Sequence, residues 1–376
     1  MTKKGFLTAL CAFSLCTMLI FKGTAMSDGI RRGLYLCSNS VIPSLFPFMA
    51  LSVFICKSSA SDFFSFIFKP ITKFLKLPEN CGGILVPAIF GGYPAAAKCI
   101  NDYVSEGFIG RKTAAKMLCF CVNAGPGFLI GTIGAGIFGS VEIGFLIFAA
   151  HFLSSAIIAA VISVFSKKEK SFSFPYIKPE KSNSVCVVES IISAAESCFR
   201  MCAFIIIACG ILEIVFEGAF FGYAEKNPLL KSLVSGFFEV TAGVMSCRDI
   251  TGYGSVIAAG AIASFSGISV IFQIAAVTDE SKIPLFPFIL SRFFHSGITA
   301  LILKIFLLFS GKSIAVLSFN GGKTEAVLSA SAPAAVSLLC MAALFLLSIV
   351  PPKSEKEPLL SRIRNKFEKF WHSQTR

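Results

Sequence analysis

The sequence predicts an all-α polytopic membrane protein of about eight spans. They form two inverted repeats, each with a re-entrant hairpin and a broken helix. Three observations predict this. The 376-residue chain is 55% hydrophobic with a mean hydropathy of +0.78, more apolar than a soluble domain needs. Its apolar runs are long and uniform, which selects helices over the alternating strands of a barrel. The net charge of +13 gathers at chain ends and short loops, as the positive-inside rule requires, so nucleic acid is a poor explanation for it.

The elements follow in chain order. Region 1–39 opens with a span over 5–21 led by Lys3 and Lys4, read as an uncleaved signal-anchor helix. It closes with a polar stretch and an amphipathic surface piece. Region 40–166 is the first repeat. Its span at 40–56 contains Pro43 and Pro47. In 57–79, Phe63, Phe64, Phe66 and Phe68 mix with Lys69, Lys73 and Lys76, too charged to span and too apolar to be solvated. With 81–100 this stretch makes the re-entrant hairpin. The span 111–138 is broken at 123–127, and 141–165 is unbroken. A lysine-rich cytoplasmic linker occupies 167–189. The second repeat, 190–309, begins with a span to 216 that carries Glu196, Arg200 and Glu213. A short apolar piece, 229–247, holds Glu239 and ends at Arg248. The span 254–277 is interrupted at Ser264-Phe265-Ser266-Gly267, and 284–309 follows unbroken. A final span at 326–350, within 310–350, leads to a basic cytoplasmic tail over 351–376.

The lysines and arginines put both termini in the cytoplasm, with Arg31 and Arg32 as the exception that a surface piece would explain. The two halves match in layout. Phe148-Ala-Ala-His151 resembles Arg292-Phe-Phe-His295, and Gly127 corresponds to Gly267. Each half crosses three times, so consecutive halves insert with opposite orientation, the signature of inverted-repeat transporters.

The functional expectation rests on the interrupted segments. Gly91-Gly92-Tyr93-Pro94 and Asn123-Ala124-Gly125-Pro126-Gly127 break otherwise apolar runs. Unwound backbone at membrane depth survives only where protein buries it or a wet cavity faces it. Such breaks mark substrate sites in transporters, although a kinked helix with glycines for close packing gives the same pattern. Enzyme motifs are missing: no His-Glu-x-x-His, no Gly-x-Ser-x-Gly, no P-loop. No cofactor is expected. The 14 cysteines contain no CxxC pair and mostly lie in apolar runs, where they act as small apolar residues.

Val41-Ile-Pro-Ser-Leu-Phe-Pro-Phe48, Gly91-Gly-Tyr-Pro-Ala-Ala-Ala-Lys98 and the Asn123-centred break resemble the YlbJ-type sporulation integral membrane proteins. That family carries a nucleoside-recognition, or Gate, domain related to concentrative nucleoside transporters. The resemblance implies a role in endospore formation, at a membrane around the forespore, and transport of dipicolinic acid. Two departures stand out. Ala96 occupies a position where the family usually has glycine, and Asn123-Ala-Gly-Pro replaces Asn-Pro.

The expected pocket lies near mid-membrane and joins Gly91, Gly92, Tyr93, Pro94, Asn123, Gly125, Gly127, Glu239, Ser264, Ser266 and Gly267, with Lys98 and Arg248 compensating a dianion. Lys98 also reads as a membrane-edge lysine, Arg200 as the helical partner of Glu196, and His151 and His295 as packed helix residues. Beyond the lipid bilayer, the expected partner is a small anionic or nucleoside-like substrate. A non-transporting scaffold for spore-envelope assembly, joined to further copies or other sporulation membrane proteins, is the reading from a different class.

Overall fold

The computed structural model describes residues 3–58, 60–166, 183–217 and 222–309. The expected span at 326–350, the tail and all but the end of the linker lie outside them. The described residues contain helices and no strand. Among the described residues, five stretches are long and apolar enough to cross a membrane: Gly23–Lys57, Val141–Phe165, Ser184–Glu217, Tyr253–Thr278 and Phe286–Phe309. The other expected spans in this region appear as shorter apolar helices, Ala12–Phe21 and Gly127–Ile137.

After α1 (Lys3–Phe21) comes the main departure from expectation. Residues 22–39 are not a separate surface piece. Helix α2 (Gly23–Leu36) runs through a π-turn at Cys37–Val41 into α3 (Ile42–Lys57), one continuous helix. The π-turn has a local cause. Pro43 lacks an N–H, and its ring crowds the carbonyl four residues back, so the preceding turn widens. Its partner is α10 (Asn183–Glu217), and the two run antiparallel. Lys22 pairs with Glu217 at 3.0 Å, Arg32 with Glu213, and Lys57 with Glu189 at 3.5 Å, from one end to the other. The charges at Lys22 and Arg32 that suggest a surface piece are thus neutralised by a helix far along the chain. The ion pair expected between Glu196 and Arg200 does not form among the described residues, and both are exposed.

The pair meets closely. A Cβ added at Gly29 would stand 2.5 Å from Cys209 O and 2.6 Å from Gly210 Cα, both backbone atoms. Gly29→Ala is therefore expected to lower thermal stability by about 1–3 kcal/mol, the usual cost of overpacking. Gly23→Ala, where nothing lies within 4 Å, is the neutral control. Thermal melts in detergent compare the two.

The remainder of the first half is a chain of shorter pieces. α4 (Ala60–Ile67) and α5 (Lys69–Phe74) precede α6 (Leu85–Phe90) and α7 (Gly92–Ser105), which are kinked at Gly91-Gly92. α8 (Arg111–Cys121) stops at a break and resumes as a π-helical segment, Gly127–Ile137. Ser140 caps α9 (Val141–Phe165), its side chain accepting from Ile143 N at 3.2 Å. After α10 and α11 (Gly222–Lys226), the second half repeats the order. α12 (Pro228–Phe238) and α13 (Val240–Ser246) are kinked at Glu239. α14 (Tyr253–Phe265) and α15 (Gly267–Thr278) are kinked at Ser266, and α16 (Phe286–Phe309) is unbroken.

The equivalent unbroken helices, α9 and α16, also cross antiparallel. Gly260 of α14 faces both Ile147 and Leu303, whereas further on Ser154 Oγ donates to His295 O at 3.2 Å. His151 and His295 sit at the crossing, ring centroids 4.5 Å apart. Two pairs of equivalent helices therefore run opposite to one another. Of the cysteines with described side chains, all but Cys16 are buried.

Candidate functional site

The kinks of the two halves meet. In the first half the broken helix abuts its own hairpin: a Cβ on Gly125 would lie 2.9 Å from Phe90 O and 3.2 Å from Gly92 N. In the second half the same contact recurs. Gly267, at φ +74°, would place a Cβ 3.0 Å from Gly236 O and 3.2 Å from Val240 N. Only glycine permits both the backbone angle and the approach there. Tyr93 OH donates to Ala263 O, which ties the first hairpin to the second broken helix.

A buried cavity lies at this junction. Gly91, Gly92, Tyr93, Pro94, Gly125 and Glu239 line it, together with Thr241 and Gln273. The long helices line it on one side, the first with Val41 at the end of the π-turn and Leu45 and Met49 on α3 at four-residue spacing, and α10 with Met201 and Ile205. Its free volume of about 20 Å³ is room for about one water. Glu239 and Tyr93 are the ionisable residues in the lining, which includes no lysine or arginine. Glu239 is 1% exposed and N-caps α13, Oε2 accepting from Ala242 N at 2.6 Å.

Other expected site residues hold the frame around the cavity. Asn123 Nδ2 donates to Phe120 O at 2.7 Å and Ser155 Oγ at 3.1 Å, filling the end of α8. Gly127 packs against the backbone of Ser44 on α3. Ser264 lies behind the cavity between His151 and Thr299. Ser266 is fully buried in the left-handed conformation at φ 77°, where it sets the kink before Gly267. Lys98 Nζ donates to Ser193 Oγ at 2.7 Å, and Arg248 Nη2 to Gly136 O at 2.9 Å. Neither of these cations lines the cavity.

Two residues outside the expected pocket matter here, one of them, Arg292, already marked in the sequence as a charge within an apolar run. Gln273 reaches the cavity from α15, and a lone amide inside an apolar span was its signal in the sequence. Arg292 is fully buried. Its Nη1 donates to Val122 O at 2.8 Å and its Nη2 to Cys119 O, so it caps the carbonyl end of α8 at the break.

The chain is 24% identical over 312 residues to the sporulation integral membrane protein YlbJ of Bacillus subtilis (strain 168), covering 74% of this chain and 76% of that protein. That similarity accords with the resemblance carried by the sequence motifs. No family model and no solved structure matches the chain. The two breaks that carry the resemblance, Gly91–Pro94 and Asn123–Gly127, come together in space, the first wholly in the lining and the second through Ala124 and Gly125.

Proposed function

We propose that this chain is a transporter, not an enzyme, that moves a small organic solute across a membrane of the sporulating cell. In this reading the two inverted repeats make a Gate-like core, and the cavity is the substrate site in a contracted state, widened and opened alternately to either side during transport. One observation carries it: both hairpin kinks, the first helix break and α15 just past the second break converge on one cavity that contains a carboxylate. A static scaffold has no need of glycine-thin backbone and a buried acid at one point.

Dipicolinate is the proposed solute, carried across a membrane around the forespore by a protein with both termini in the cytoplasm. Its carboxylates would meet backbone N–H groups where α7 begins, at Gly92 in the lining. Because no lysine or arginine lines the cavity, a proton or cation at Glu239 would travel with the dianion. The same observation favours a second reading, a neutral nucleoside-like solute held by Gln273, Thr241 and Tyr93. Uptake of labelled dipicolinate and of uridine by vesicles containing the purified chain decides between them. Saturable dipicolinate uptake above empty vesicles is expected. Uptake of uridine alone would transfer the proposal to the second reading. Uptake of neither, in vesicles with folded protein, would leave the scaffold.

A further inference from the structure

The unbroken helices do more than enclose the core, because each braces the broken helix of the opposite half. On α16, Arg292 and Ser291 hold the last carbonyls of α8, with Ser291 Oγ donating to Cys119 O at 3.3 Å. On α9, His151 reaches in both directions. Ala124 N–H donates to His151 Nε2 at 3.3 Å, so Nε2 is the bare nitrogen. The proton then sits on Nδ1, which donates to Ser264 Oγ at 2.8 Å. Ser264 Oγ donates onward to Thr299 Oγ1 at 2.8 Å. His295 Nε2 donates to the backbone oxygen of His151 at 3.0 Å and fixes the crossing itself. His151, Ser264, Thr299 and His295 are all fully buried.

We infer that His151 is a positioning residue that couples the two helix breaks into one unit. Its imidazole joins Ala124, in the cavity lining, to Ser264, two residues before the kink at Ser266. The hydrogen bonds all point the same way, from the Ala124 amide through the ring to Thr299. A shift of one break removes a donor or an acceptor from the other, inside protein where an unpaired group is costly. The breaks therefore open together or not at all. What this coupling means for the solute rests on the transport reading, but the coupling itself can be measured with no solute present.

The measurement is hydrogen–deuterium exchange of the full-length protein in lipid nanodiscs, followed in peptides over 120–128 and 262–268. His151→Gln keeps an acceptor near the Nε2 position for Ala124 and drops the bond to Ser264. His151→Asn keeps a donor near the Nδ1 position for Ser264 and drops the bond to Ala124. Coupling requires that each variant loosen both segments, including the one whose own bond it retains. We expect exchange in both to rise roughly five- to tenfold, as for loss of one buried hydrogen bond. Exchange along α2 and α10 stays unchanged. If each variant loosens only the segment whose bond it removed, the breaks are independent and the inference fails. An equal rise along every helix would make His151 a general packing residue, which also overturns it. Should a histidine variant not accumulate, Ser264→Ala interrupts the same chain by one oxygen and is read in the same way. None of these outcomes depends on uptake, so the inference and the transport reading can fail separately.

Discussion

Replacing Arg292 by leucine is expected to cost on the order of 3–5 kcal/mol, enough to prevent accumulation of folded protein. The guanidinium is fully buried and holds the carbonyls of Val122 and Cys119 at the end of α8. Those carbonyls have no helical partner, because the chain breaks there. Leucine would leave Val122 O without its donor and Cys119 O with only Ser291 Oγ; an orphaned buried acceptor costs about 1–3 kcal/mol, and the volume left by the side chain adds a cavity term. Arg292 also stands 4.9 Å over the ring of Phe288, a stacking contact that leucine does not replace. Lysine should rescue only in part, since an ammonium cannot fork to two carbonyls as a planar guanidinium does. Melting temperature and yield of the three proteins in detergent test this. A leucine variant that melts within a degree or two of the parent would show that water or a shifted turn can cap α8 instead.

Glu239→Gln is expected to lower solute uptake by tenfold or more, a loss of about 1.4 kcal/mol in driving the rate-limiting step, with little change in melting temperature. The separation of the two readouts follows from geometry. Glu239 Oε2 caps α13 by accepting from Ala242 N at 2.6 Å, and the amide oxygen of glutamine can do the same. What glutamine lacks is the charge. If the carboxylate holds the proton or cation that accompanies the solute, uptake also loses its dependence on that gradient. Glu239→Leu removes cap and charge together, so it should destabilise by about 1 kcal/mol as well. Undiminished uptake by the glutamine variant would reduce Glu239 to a helix cap.

The helical fold was legible because its signals are local. The unbroken apolar run ending at Phe165 is the helix Val141–Phe165, and both proline–glycine interruptions are kinks. The hairpin acid at Glu239 reaches the cavity, as do four residues of Gly91–Pro94. What escaped depends on partners far apart in the chain. Lys22 and Arg32 look like solvent-facing charges until Glu217 and Glu213 are placed beside them. Lys98 looks like a ligand for an anion until Ser193 supplies its acceptor. Arg292 stands out as a charge in an apolar run, but nothing local says that it caps the distant helix ending at Cys121. The walls from α3 and α10 were missed because Val41, Leu45, Met201 and Ile205 are ordinary apolar residues. Only tertiary placement distinguishes them from residues that face lipid.

The antiparallel pairing of Gly23–Lys57 with Ser184–Glu217 also imposes an order on biogenesis. The earlier helix leaves the ribosome about 160 residues ahead of its partner, which at 5–20 residues per second is roughly 8–30 s. Throughout that interval its glycine groove, Gly29 and Gly33, lacks the helix it packs against, and Arg32 lacks Glu213. The nascent first half must therefore wait in the bilayer with an open seam and an uncompensated cation. Quality-control proteases and insertion factors would meet the chain in that half-made form, before any solute could.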